Sequence, residues 1–193
     1  MAKLTGYKKV KTAIFISGAG SNLKSLIKFS KTKKSPISIN LIISNNFKAK
    51  GLKLGKINKI RKKVFNFKKQ HKIENQILFV LKKHKINMIC LAGFMKILSK
   101  NFITRFKGKI LNIHPSLLPK YKGLNTHQRV LENNEKYSGC TVHFVNSKLD
   151  SGKIILQKKV KISKNETKNS LAKKILVQEH KLYPRAILKT FNL

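Results

Sequence analysis

Acidic side chains are almost missing from this chain. Six Asp and Glu stand against 44 Lys and Arg in 193 residues, a formal net charge of +38, and a single aspartate remains, Asp150. Such a balance first points to a phosphate backbone, from which lysines release counterions. A second scarcity argues the other way. Arginine occurs only at Arg61, Arg105, Arg129 and Arg185, whereas proteins that read bases lean on Arg for bidentate contacts to guanine. The basic residues also run from Lys3 to Lys189 without gathering in a tail. With the abundance of Ile and Asn, the excess of Lys reads as compositional drift toward A- and T-rich codons. Net charge alone speaks to nonspecific association, not to fold or chemistry.

Cysteine is also scarce. Cys90 and Cys140 lie far apart, which excludes a disulfide framework and a paired zinc site. Cys90, inside "NMICLAG", reads as core. No apolar run approaches the roughly eighteen residues of a membrane span. The apolar stretch after the basic start "MAKLTGYKKVK" is too short for a signal peptide and runs straight into Gly18. The expectation is a reduced, cytoplasmic protein with no metal. The length suits one domain, residues 1–193, with residues 1–11 a flexible basic N-terminus, and a 41% hydrophobic content is enough for a core.

What is present alternates. "TAIFIS" (12–17), "ISINLIIS" (37–44), "KVFNF" (63–67), "INMICLAG" (86–93) and "KILNIH" (109–114) read as strands. "NLKSLIKFSK" has helical spacing, and "IENQILFVLKKH" (73–84) puts Ile73, Ile77, Val80 and Leu81 on one side of a helix. Alternation of this kind predicts an α/β fold with a mostly parallel, twisted sheet and helices on both faces. "GCTVHFVN" (139–146) and "GKIILQKKVKI" (152–162) are separated by a short loop and predict an antiparallel edge. A long helix is expected from about Glu166 to Phe191, kinked or split by Pro184.

Three places carry chemistry. "SGAGSN" (17–22) lies between the first strand and the first helix. Two glycines let its backbone come close to a ligand, and helix-start amides suit a phosphate; Ser21 or Asn22 can cap the helix. Position 23 is Leu, so the dinucleotide fingerprint is missing, and no Walker lysine follows. An ordinary strand-to-helix turn is an equal reading. In "LNIHPSLLPKYKG", Asn112 and His114 are two apart on a strand and share a face, and Pro115 ends the strand. An amide and an imidazole at a strand end suit a reaction that builds negative charge on an oxygen. Either residue alone is more often a satisfied core or turn residue. Asp150, in "SKLDSG", can partner an imidazole and raise its pKa, or can simply serve the turn before Ser151 and Gly152.

The segments "IFISGAGSNLKSLI", "LAGFMKILSKNF", "LNIHPSLLPKYKGLNTHQ", "TVHFVNSKLDSGKIILQ" and "QEHKLYP" resemble, in order and spacing, the phosphoribosylglycinamide formyltransferases, folate-dependent enzymes of purine synthesis. The likeness runs from about Thr12 to Pro184 and implies the formyltransferase fold. It also implies two small-molecule substrates, glycinamide ribonucleotide and 10-formyltetrahydrofolate, no specific nucleic acid, no membrane, and a monomer or homodimer. Asn112, His114 and Asp150 match the family's catalytic trio, with His114 held protonated by Asp150. Gly20, Ser21 and Asn22 match the loop that holds the ribonucleotide phosphate, and Leu23 and Lys24 continue that substrate-binding segment. Glu179 matches a ribose contact. Met95, Lys96, Ile97 and Leu98 match the segment against which the pterin lies. Gln70 falls in the folate-contacting region, Asn112 serves folate as well, and His143 matches a pocket histidine. The Leu118–Pro119 bond is a candidate for cis.

Three departures accompany the likeness. Ala19 stands where the family often has Asn. Lys96 replaces a common Arg, keeping charge but losing planar geometry. Lys69 and Gln70 do not match a folate-contacting Arg. The alternatives are related folate enzymes and a basic nucleic-acid-binding protein. Methionyl-tRNA formyltransferase carries a further C-terminal domain, and formyltetrahydrofolate deformylase an N-terminal one, for which this chain is expected to have no room. A nucleic-acid binder calls for clustered Arg and exposed aromatics, and neither is evident.

Overall fold

A computed structural model describes residues 8–193, which fall into two compact units, one ending at Ile110 and one beginning at Leu111. Of the N-terminus expected to be flexible, residues 1–7 lie outside the described residues, and Val10 and Lys11 already belong to the first strand.

The first unit runs β1 (Val10–Ile16), α1 (Ser21–Ser30), β2 (Ile37–Ser44), α2 (Leu52–Ile57), β3 (Arg61–Val64), one 3₁₀ turn (Phe67–Lys69), α3 (Gln70–Lys83), β4 (Met88–Leu91) and α4 (Lys100–Arg105). Its strands lie in the order β3-β2-β1-β4, all parallel. β1 has a neighbour on each side, so Ala13, Ile14, Phe15 and Ile16 are fully buried, as a strand covered on both faces requires. β3, "RKKV", is exposed along its length; lysines there discourage another chain from pairing with that edge.

The second unit holds the end of β5 (Lys109–His114), then α5 (Thr126–Glu132), β6 (Tyr137–Phe144), β7 (Ile154–Lys161) and α6 (Lys168–Thr190). β5 pairs with β6, and β6 with β7, both antiparallel. Thr167 caps α6 through a reciprocal bond with Ser170. The helix buries Leu171, Ile175, Leu182, Tyr183, Ala186 and Ile187, and the Tyr183 hydroxyl donates to the Leu111 carbonyl at 3.1 Å.

Each expected strand has a counterpart, but the third lies at Arg61–Val64 and not at 63–67, where Phe67 already opens the 3₁₀ turn. α6 differs from expectation: it runs unbroken through Pro184. The proline forfeits one backbone bond, but the buried side chains on both sides of it offset a cost of about 3 kcal/mol. The short helices α2, α4 and α5 carry too few residues for a periodic signal, and α2 contains Gly55.

Close packing in the second unit gives a direct test. A Cβ at Gly139 meets the Lys158 carbonyl oxygen at 2.1 Å and Leu117 Cδ2 at 2.6 Å, whereas one at Gly18 meets nothing within 4 Å. Gly139→Ala is expected to destabilise the fold by roughly 1–3 kcal/mol or more, read as a lower midpoint in denaturant. Gly18→Ala is expected to leave the midpoint close to unchanged.

Candidate active site

The loop after β1 is held by its glycines and by Ser17. Gly20 has φ +78°, which is open to glycine. Its Cα also approaches Gly51 so closely that a Cβ on Gly20 would sit 2.7 Å from the Gly51 Cα. The Gly51 amide donates to the Gly18 carbonyl at 3.0 Å. Gly20 itself is the cap of α1, and no side chain caps it, so Ser21 and Asn22 do not play the capping part open to them. The first intrahelical bond is Lys24 N–H to Gly20 O at 2.9 Å. The amides of Ser21, Asn22 and Leu23 come before it and so lie outside the helix's own hydrogen bonding. Leu23 is wholly buried, so only its backbone can serve a ligand, while Lys24 is exposed.

Ser17 ties this loop to the segments after β2 and β4. Its hydroxyl donates to Asn45 Oδ1 at 2.5 Å and accepts the Met95 amide at 2.7 Å. The Ser17 amide donates to the Gly93 carbonyl at 3.0 Å, and Asn46 Nδ2 donates to the Ser17 carbonyl at 3.1 Å. Met95 and Ile97 stand 61% and 63% exposed, whereas Leu98 is buried. Phe94 packs edge-on against Phe15 and Phe67. Gln70 Nε2 donates to the Ile97 carbonyl at 2.8 Å and to Glu74 Oε1 at 2.9 Å. Gln70, itself exposed, thus braces the 95–98 segment.

Glu74 was not singled out from sequence. It is 1% exposed, and its carboxylate accepts the Ser99 amide at 2.8 Å and the Ser99 hydroxyl. Ser99 in turn caps α4. The available signal was an acid between Ile73 and Ile77, on the apolar side of α3, in a chain with so few acids.

In the second unit the structure brings Asn112, His114 and Asp150 together. Asn112 pairs with His143 across β5 and β6, and His114 with Thr141. Asn112 Nδ2 lies 3.3 Å from His143 Nε2 and 3.4 Å from Asp150 Oδ1. His143 Nδ1 lies 2.8 Å from the Phe144 carbonyl, and its Nε2 lies 3.6 Å from Asp150 Oδ1. His114 Nδ1 lies 3.4 Å from Asp150 Oδ2, and its Nε2 lies 2.8 Å from the Tyr121 carbonyl. Asp150 has φ +44°, and its Oδ2 accepts the Gly123 amide at 2.9 Å. Short aspartates tolerate this left-handed backbone better than most side chains.

The loop after His114 is fixed on its far side. The Thr141 hydroxyl donates to the Ser116 carbonyl at 2.6 Å and accepts the Leu118 amide at 3.1 Å. Gln157 Nε2 donates to the Leu118 carbonyl at 2.7 Å. The Leu118–Pro119 bond is cis. Glu179 lies buried on α6; burial and then the Glu179 charge push the Cys140 thiol up to about 12.

Burial pulls His114 below the ordinary imidazole value. The Tyr121 carbonyl and the Asp150 charge oppose this, and His143 and Arg129 reinforce it. Both ring nitrogens nevertheless face acceptors, Asp150 Oδ2 and the Tyr121 carbonyl, an arrangement that favours the charged ring the family likeness implied, against the cost of burying it. Burial also works against the Asp150 carboxylate. The His143 hydrogen bond, the Gly123 amide and the neighbouring imidazoles outweigh it and hold the group below the usual carboxylate range.

Residues 10–187 match the formyl transferase family. The chain belongs to that family. Phosphoribosylglycinamide formyltransferase of Haemophilus influenzae is 43% identical over 180 residues, covering 92% of this chain and 85% of that relative. The human trifunctional purine biosynthetic protein adenosine-3 is 41% identical over 183 residues, 93% of this chain, and this formyl transferase chain spans 18% of its length. The crystal structure of phosphoribosylglycinamide formyltransferase from Brucella melitensis matches with a TM-score of 0.89 at 42% identity, over 95% of this chain and 96% of that one. The α/β class with antiparallel last strands is thus the formyl transferase fold.

The titrations set a pH dependence on stability. His114 and His127 are both lowered, each mainly by burial, and Asp150 is lowered as well. Below its ordinary pKa each group is protonated in the unfolded chain before it is in the folded one, so the stability it contributes is present above that pH and lost as pH falls. Thermal unfolding is expected to show Tm dropping from about pH 7 to about pH 5 through the histidines, and further below about pH 4 through Asp150. His114→Asn should flatten part of the first drop; a Tm unchanged across that range would contradict this assignment.

Proposed function

We propose that this protein moves the formyl group of 10-formyltetrahydrofolate to the primary amine of glycinamide ribonucleotide, giving formylglycinamide ribonucleotide and tetrahydrofolate in de novo purine synthesis. The observation that carries this is the meeting of Asn112, His114 and Asp150, an amide and an imidazole each 3.4 Å from an oxygen of one carboxylate, in a member of the formyl transferase family. The reading places the protein in the cytoplasm as a monomer or homodimer.

Attack of the amine on the formyl carbon places negative charge on the formyl oxygen. His114 and Asn112 supply the donors for it. Both bonds of Asn112 Nδ2, at 3.3 and 3.4 Å, are long for N–H donors, so one can be exchanged for an oxyanion. His114 carries positive charge as the oxyanion forms, and ionised Asp150 favours the charged ring. The proton lost by the attacking amine must reach the leaving N10, and the His114–Asp150 pair is the group able to relay it.

The remaining residues divide by substrate. The amides of Ser21, Asn22 and Leu23, with no acid in the first turn of α1, suit the ribonucleotide phosphate; Gly20 shapes that loop, Lys24 adds charge, and Glu179 takes the ribose. Ala19 leaves that contact to backbone. Met95 and Ile97 give exposed apolar surface on a fixed backbone, which fits a flat pterin, with Lys96 beside them and Gln70 holding the segment. The folate, when bound, supplies the formyl group and receives the proton at N10.

Purified protein mixed with glycinamide ribonucleotide and a 10-formyl folate is expected to release deformylated folate only when the ribonucleotide is present, followed by absorbance. Release without it points instead to a deformylase. Asp150→Asn is expected to cut turnover by about 10²–10⁴-fold and change ribonucleotide affinity far less. Equal loss of both, or retained turnover, counts against the role given to Asp150.

A further inference from the structure

One short stretch, Tyr121 to Gly123, touches both ionisable members of the trio. The Tyr121 carbonyl accepts from His114 Nε2 at 2.8 Å, and the Gly123 amide donates to Asp150 Oδ2 at 2.9 Å. Three residues of backbone therefore set where the imidazole and the carboxylate meet. Tyr121 has φ +55°, a left-handed conformation that costs a bulky side chain energy and has to be held from outside.

Two charged residues, at α5 and just after it, do the holding. Glu135 Oε1 accepts the Tyr121 hydroxyl at 2.9 Å and the Lys120 ammonium at 2.8 Å. Arg129, on α5, lies over the Tyr121 ring at 5.4 Å from its centroid and donates to the Lys122 carbonyl at 2.7 Å. On the other side, Lys122 Nζ reaches the Ser151 hydroxyl at 2.7 Å, next to Asp150. Tyr121 is thus gripped at its phenol and at its ring face, and Lys122 at its carbonyl, while the Tyr121 carbonyl and the Gly123 amide face the catalytic pair.

We propose that Glu135 and Arg129 are positioning residues for the formyl transfer, clamping Tyr121–Gly123 so that its backbone aligns His114 with Asp150. Neither side chain bonds to His114 or Asp150 among the described contacts; Glu135 acts through the stretch between, and Arg129 through it and through its charge on His114. The proposal rests on the formyl transfer reading for its kinetic consequence. Its structural consequence can be read in the free protein. Loss of the Tyr121 carbonyl removes an acceptor that stabilises the protonated ring. The other groups acting on His114, namely Asp150, His143, Arg129 and, through its own titration, His127, are unchanged by substitution at Glu135 or Tyr121.

The experiment is an NMR titration of the His114 ring in the unliganded full chain, its signal assigned with His114→Asn, together with steady-state kinetics. Glu135→Ala and Tyr121→Phe are each expected to move the His114 midpoint to lower pH by about half a unit or more. They are expected to lower kcat about tenfold or more, with KM for the ribonucleotide within about threefold, since small misplacement of a reacting group is costly. Glu135→Gln removes the same charge but keeps an oxygen to accept the phenol, so it is expected to retain most of the wild-type midpoint and rate. Arg129→Ala should lower kcat likewise. A His114 midpoint unmoved in both Glu135→Ala and Tyr121→Phe overturns the clamp, whatever the assay gives. So does a Glu135→Gln variant as impaired as Glu135→Ala. A shifted midpoint in a protein with no formyl transfer keeps the clamp and overturns the activity.

Discussion

The carboxylate of Asp150 is the group around which the second unit is arranged. A buried carboxylate is costly unless its oxygens are occupied. Here one oxygen takes the Gly123 amide and faces His114, and the other faces Asn112 and His143. Those partners come from β5, β6 and the loop after β5, so pairing the carboxylate fixes three segments at once. Removing any partner leaves the buried carboxylate less well compensated, which ties the residues of the site to one another.

The same buried pairing sets the chemistry. Burial lowers His114 and, on its own, works against an ionised Asp150; the polar partners reverse the second effect but not the first. The ring and the carboxylate form a pair in which burial and hydrogen-bond partners pull the ring's charge in opposite directions. Such a pair is suited to taking up a proton when negative charge arrives and to releasing it afterwards, because neither form is held too firmly. Buried groups elsewhere are used for construction. Glu74 satisfies Ser99 and Gln70 and so holds the 95–98 segment in place. In a chain this basic, three of its few acids, Glu74, Glu135 and Asp150, are all engaged in fixing loops near strand ends.

Much of this was legible in the sequence. The strands were readable because parallel strands with covered faces leave apolar runs bounded by turns, as in "ISINLIIS" and "KILNIH". Asn112 and His114 were readable as a pair because a strand repeats its facing every two residues. Pro115 marked where the strand had to stop. Less legible were α2, α4 and α5, which are too short to show a period, and the continuity of α6 through Pro184, which depends on burial on both sides of the proline.

The amino-acid sequence by itself determined the α/β alternation, the glycine turn after β1, and the family to which the residues at Asn112, His114 and Asp150 belong, because these rest on local periodicity and on spacing along the chain. Only the tertiary structure decided that Asp150 reaches His114 across 36 residues of sequence, that the ring is buried between two acceptors, and that the backbone of Tyr121 and Gly123 aligns the pair. Carbonyl and amide groups are the same in every residue and leave no trace in a sequence. Burial, which sets the charge of the ring, exists only once the chain has folded around it.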